Sequence, residues 1–148
     1  MSSLDPCFDR ELRSMRVLVE QTTNGLLAFA MYDDIDVRTS ITKELSETLS
    51  IPLITVILSS ENNNPTDILK DIPDASRSCI FFVNAEEAFP KFLGFVNLQR
   101  EQLLQTKHAL VFWVREEGMR RIAGTAPDFW AWRSQVSTSG LPPAAEWI

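Results

Sequence analysis

A chain of 148 residues, 45% hydrophobic and 23% charged, has the length of one domain and enough apolar content to bury a core, which excludes disorder through most of its length. Lys and Arg number 14 against 20 Asp and Glu, so the net charge is −6, the wrong sign for the basic face of a nucleic-acid binder; Arg115, Arg120 and Arg121 form only a local basic patch. No stretch nears the roughly 20 apolar residues of a membrane span, and the N-terminus lacks the basic-then-apolar order of a signal peptide, so the expectation is a soluble cytoplasmic protein with no membrane partner.

After Pro6, residues 8–21 place Leu12, Met15, Leu18 and Val19 on one helical face. This predicts a peripheral N-terminal helix, within a unit over residues 1–24 that Asn24-Gly25 punctuate. Residues 25–31 (GLLAFAM) read as a buried strand. A helix then begins near Val37, with Asp36 or Thr39 as its cap and Ile41, Leu45, Leu49 and Ile51 as its apolar stripe. Residues 52–58 (PLITVIL) are a near-continuous β-branched run, the pattern of a strand buried on both faces. A polar loop over 59–65 leads, through Asn64 or Thr66 as cap, to a short helix that Pro73-Asp74 stop.

Residues 78–83 (SCIFFV) predict a third strand, and residues 85–105 one long helix that tolerates Pro90 in its first turns. Residues 108–114 (HALVFWV) predict a fourth strand and residues 115–123 a further helix. Pro127-Asp128 open a short aromatic segment, and residues 135–148 read as a C-terminal tail. Cys7 and Cys79 have no partners at metal-binding spacing, and Cys79, inside an apolar run, reads as a reduced core thiol. Parallel strands need crossover connections, and strands here alternate with helices. The expected fold class is therefore α/β, a three-layer domain with a mainly parallel sheet over residues 25–134. Ligands of such sheets sit at the carboxyl ends of the strands, here residues 32–36, 59–64, 84–87 and 115–117.

The first of these turns has the length of a phosphate loop and the wrong chemistry. On the template Gly-x-x-x-x-Gly-Lys-Ser/Thr, Tyr32 and Val37 stand at the glycine positions and Arg38-Thr39 at the Lys-Thr pair. Asp33, Asp34 and Asp36 would repel a triphosphate unless a metal intervened. The third strand ends in Asn84, ahead of Glu86 and Glu87, where an NTPase wants a magnesium-holding acid. Three readings of the turn stay open. It is a dead site whose acids cap helices, or a divalent-metal sensor or phosphotransfer site using Asp33, Asp34 and Glu86, or a nucleotide site without hydrolysis using Arg38 and Thr39. Nucleophilic hydrolysis lacks its parts, because His108 reads as a lone surface histidine and no Gly-x-Ser-x-Gly accompanies it. The expectation is no enzyme, no cofactor and no resident metal.

The last third is rich in large aromatics: Phe112, Trp113, Phe129, Trp130 and Trp132, with Arg133 beside them. Such residues pad core edges, and Trp and Arg also dominate protein interfaces. Trp113, Phe129, Trp130, Trp132 and Arg133 are the candidate partner-binding residues.

Residues 25–45 (GLLAFAMYDDIDVRTSITKEL), the helical residues 97–101 (NLQRE), the strand LVFWV at 110–114 and the closing APDFWAWRS at 126–134 together resemble the P-loop-derived domain of bacterial STAND-type proteins. In particular they are similar to the inactive STAND-like domains found beside tetratricopeptide repeats and effector modules. That resemblance, over residues 25–134, implies a P-loop NTPase-like fold that has lost its phosphate loop and NTP hydrolysis. It also implies a scaffold in a signalling or anti-phage defence assembly whose partner is another protein subunit, a repeat or effector protein. Asn97 and Arg100, three apart, would share one helical face and tie that helix to the aromatic turn.

Overall fold

Every residue of β1 (Leu26–Met31), β3 (Cys79–Val83) and β4 (Ala109–Val114) is buried, and alternate side chains of a strand point to opposite faces, so these three strands feed two separate cores. In the computed structural model, which describes residues 6–21, 26–73, 76–126 and 135–138, they are joined by β2 (Leu53–Ile57) and β5 (Gln135–Thr138) in one sheet of order β2-β3-β4-β1-β5. All four pairings are parallel. The helices are α1 (Pro6–Gln21), α2 (Ile35–Thr48), α3 (Pro65–Lys70), α4 (Lys91–Leu98), α5 (Arg100–Leu104) and α6 (Glu116–Thr125), with a 3-10 turn at Ala85–Ala88.

On one face Ala28, Ala30, Phe81, Val111 and Trp113 meet Met15 and Val19 of α1 and Ile41 and Leu45 of α2. On the other, Leu27, Phe29, Ile80, Phe82, Leu110 and Phe112 meet helices α3 to α6 through Ile68, Phe92, Val96, Leu103, Met119 and Ile122. The result is a three-layer α/β domain with a parallel sheet between two helical layers. Small and large residues interlock across it. Ala30 is in register with Trp113, and the space beside an alanine admits the indole, whose ring meets Phe81 edge-on at 5.6 Å. Phe112 stacks on Phe82 at 4.6 Å on the opposite face, and truncating such a ring costs about 3–5 kcal/mol.

Several expectations need correction. Trp113 is fully buried and is a core residue, so it presents no surface to a partner. His108 is 2% exposed, its Nδ1 accepting from the Ser78 backbone N–H at 3.0 Å, so it is not a surface histidine. The long helix over 85–105 is broken: a 3-10 turn ends at Ala88, Pro90 caps α4, and α4 and α5 part at Gln99. Asn97 and Arg100 thus lie on different helices, joined where Arg100 Nη1 donates to the Asn97 carbonyl at 2.6 Å. The run at 52–58 is a sheet edge, only half-buried, because hydrophobicity alone does not say how many neighbours a strand has. Residues 135–138, assigned to the tail, add β5 to the sheet beside β1.

The lower edge of the sheet is tied by side chains. Arg77 donates to the Lys107 carbonyl at 3.0 Å and to the Val19 carbonyl in the last turn of α1 at 2.9 Å, supplying the cation that the α1 terminus itself lacks. Among the described residues no helix is long and apolar enough to cross a membrane.

Candidate functional site

The carboxyl edge of β1, β3 and β4 brings Tyr32, Asp33, Asp34, Arg38, Asn84, Glu86 and Arg115 together, and each is already engaged. The turn after β1 is short. Helix α2 begins at Ile35, two residues before the second glycine position of a phosphate loop, with Asp34 rather than Asp36 or Thr39 as its N-cap. The Asp34 carboxylate accepts from the Asp36 N–H at 2.9 Å. A helix N-terminus is where backbone N–H groups and the dipole receive a phosphate, and here the chain's own carboxylate is in that place.

Glu86 lies where α6 begins, but it binds the N–H of the N-cap residue and not a donor of the first turn. Its Oε2 accepts from the Arg115 N–H at 2.6 Å at the start of that helix. Gly118 makes this approach possible, since a Cβ at that position would fall 2.3 Å from the same oxygen. Asn84 sits between the two carboxylates with φ 61°, ψ 36°, a left-handed conformation that Asn tolerates better than most residues. Its side-chain oxygen accepts from Arg38 Nη1 at 3.3 Å.

Tyr32 is the platform of the site. It is 3% exposed, packs edge-on against Trp113 at 6.1 Å, and receives Arg38 Nη1 on its hydroxyl at 3.1 Å. The guanidinium carbons of Arg38 and Arg115 lie 5.0 and 4.9 Å from its ring centroid, within cation–π range. Arg115 also donates to the Asp33 carbonyl at 3.2 Å. Beside this assembly is a cleft of about 450 Å³ lined by Tyr32, Asp33, Arg115, Glu116, Glu117 and Arg120, in which Arg120 pairs with Glu116 at 2.9 Å.

No family model matches the chain, and no curated protein matches it. Among solved structures it is similar to the ORC1 protein of Aeropyrum pernix, determined in complex with DNA, with a TM-score of 0.58 at 10% identity. The match covers 99% of this chain and 48% of that one, so the chain spans about half the length of that protein. The fold is P-loop NTPase-like without the phosphate loop. A likeness at this identity establishes the fold alone.

Within that fold the sequence-selected acids do not converge. Asp34 turns to α2 and Glu86 to α6, and among the described residues no group of three His, Cys, Asp or Glu could hold a metal ion. Arg38 braces Tyr32 and Asn84, and Thr39 is exposed on the first turns of α2. A triphosphate entering the cleft would meet three carboxylates and two arginines that already have partners. Of the candidate interface residues, Phe129, Trp130, Trp132 and Arg133 lie outside the described residues. The described elements on either side of them are α6, which runs back from the carboxyl edge, and β5, which enters the sheet parallel to β1.

Sequence reading did not find Tyr32 as the seat of two arginines, because Arg38 reaches back to it only once the β1–α2 turn is folded, and Arg115 arrives only when β4 lies beside β1. The one signal was chemical: a large aromatic and an arginine standing where a phosphate loop has glycine and lysine.

Proposed function

We infer that this chain is a non-catalytic protein-interaction module, a P-loop-like domain that has given up nucleotide chemistry and serves as a scaffold. The observation that carries this reading is the occupation of the ligand edge by the chain's own carboxylates: Asp34 caps the N-terminus of α2, and Glu86 binds the Arg115 N–H where α6 begins. An anion would have to displace a carboxylate that is covalently part of the protein and already hydrogen-bonded. The STAND-like resemblance of residues 25–134 supports a cytoplasmic role in a bacterial signalling or defence assembly, with a repeat or effector protein as partner. Phe129, Trp130, Trp132 and Arg133 are the residues proposed to dock it, being of the types that dominate interfaces. The net charge of −6 opposes a nucleic-acid partner.

Isothermal titration with ATP and Mg²⁺ tests the nucleotide half. No binding heat is expected up to millimolar nucleotide, and micromolar affinity would overturn the reading. For the docking half, a partner that co-purifies from the native host should be lost from the Trp130→Ala, Trp132→Ala double variant while the circular dichroism spectrum is kept. Retention of the partner by the folded variant removes those residues from the interface.

A further inference from the structure

The outer edge of β2 is a row of backbone hydrogen-bonding groups without a neighbouring strand among the described residues. Which residues point outward follows from the ladder. The Pro52 carbonyl accepts from the Cys79 N–H at 2.8 Å and the Leu58 N–H donates to the Val83 carbonyl at 3.0 Å, so the even-numbered residues face β3. In a strand the N–H and C=O of one residue point to the same side, and successive residues alternate. Leu53, Thr55 and Ile57 therefore direct both groups away from the sheet, where the Ile57 carbonyl accepts from Asn62 Nδ2 at 3.1 Å. Pro52, the one residue that might blunt an edge, lacks an N–H on the β3 side and leaves the outer row intact.

Natural sheet edges are usually guarded by charge, especially lysine, or by a bulge. This one has no such guard. Between Glu47 and Glu61 the chain has no charged residue, in a protein that is 23% charged. Thr55 is exposed and Ile57 is 62% exposed. Helix α3, which links β2 to β3, is neutral through its Lys70–Asp67 pair at 3.4 Å.

We propose that β2 is a self-association edge, pairing antiparallel with β2 of a second copy about a two-fold axis at Thr55. Charge and register point to a second copy as the occupant. Molecules of net charge −6 repel each other, and the uncharged run from Thr48 to Ser60 is a strip along which two copies meet without like charges opposed. An antiparallel pairing centred on Thr55 sets Thr55 against Thr55 and Leu53 against Ile57. These are all outward-facing residues, so Thr55 exchanges both of its backbone hydrogen bonds with Thr55 of the second copy, and the Leu53–Ile57 pairs form as the Ile57 carbonyl trades its Asn62 Nδ2 donor for the strand. Thr–Thr and aliphatic cross-strand pairs are favourable, and the contact covers Ile57 with Leu53 of the second copy. Such a two-fold contact closes on itself and makes a dimer rather than a fibre. It goes beyond the scaffold reading and is independent of nucleotide.

Sedimentation equilibrium of the full chain over micromolar to hundreds of micromolar, with hydrogen exchange at both ends of the range, is the test. The expected result is a doubling of mass with concentration and parallel protection of the Leu53, Thr55 and Ile57 amides. Thr55→Lys, an exposed position, should keep the thermal midpoint and weaken association by about tenfold or more, because two like charges then face each other across the axis. A monomer throughout, with those amides open, overturns the proposal. A monomer in which they are protected also overturns it, showing that the chain covers its own edge. A dimer indifferent to Thr55→Lys places the contact elsewhere. Nucleotide binding in the titration above would defeat the scaffold reading and leave this result standing.

Discussion

Two regions of the domain offer backbone hydrogen bonds outward, and the chain treats them oppositely. At the carboxyl edge of β1 and β4, Asp34 caps the N-terminus of α2, Glu86 binds the Arg115 N–H ahead of α6, and the arginines nearby are folded onto Tyr32. At the outer edge of β2, Leu53, Thr55 and Ile57 are left without a paired strand among the described residues, and no charge guards them. The ligand edge thus carries the chain's own carboxylates, while on the lateral edge the Ile57 carbonyl has only the Asn62 side chain against it and no strand lies alongside among the described residues.

The sharpest way to break this contrast is Arg38→Ala. If Arg38 is a brace, its loss strands the buried Tyr32 hydroxyl and the Asn84 oxygen and should cost about 2 kcal/mol, seen as a fall of several degrees in Tm. An arginine held ready for a phosphate would give the opposite sign, since removing it would relieve an unused positive charge. Asp34→Ala comes next. Loss of the α2 cap should cost about 1 kcal/mol in urea unfolding, whereas Asp34→Asn should be near neutral because asparagine caps almost as well. A stabilised Asp34→Ala variant that also bound phosphate would show that the carboxylate blocks a usable seat instead of completing the helix.

The smallest effect concerns the tie between α1 and the end of α2. The Glu20 carboxylate accepts from the Ser50 hydroxyl and from the Ser50 N–H, and these hydrogen bonds hold its pKa below the usual 4.5. A depressed carboxylate contributes stability that is present above the unfolded value and lost as pH falls through the folded one. The group is exposed, so solvent screening keeps the contribution small. The expected outcome is a slightly shallower loss of Tm for Glu20→Gln than for the unaltered chain between about pH 5 and pH 3. Equal slopes would mean that Ser50 does not hold Glu20 in solution.

Cys79 illustrates how local reading and structure can agree. Its place in an apolar run predicts a core thiol, and burial pushes that thiol up to about 12, against the weaker opposing pull of Arg77. Alternation and capping are local rules of the same kind. They made the strands at 25–31, 78–83 and 108–114 legible, and narrowed the cap of α3 to Asn64 or Thr66, of which the structure selects Asn64, whose side chain accepts from the Thr66 and Asp67 N–H groups. They failed where the answer depends on neighbours. The run at 52–58 is as apolar as a central strand but has a partner on one side only. His108 looks exposed in the sequence and is enclosed because Ser78 lies against it across the β3–β4 step.

The sequence by itself determined the α/β alternation, the parallel sheet that crossover helices require, and the absence of glycine and lysine from the turn after β1. Those are properties of spacing and residue type, and they survive without knowing what lies next to what. Only the tertiary structure decided that Trp113 is core, that Glu86 reaches across to α6 through the gap at Gly118, and that Tyr32 carries two arginines. Each of these depends on at least one contact between residues tens of positions apart, and their chemistry is set by distance in space, which the one-dimensional pattern does not contain.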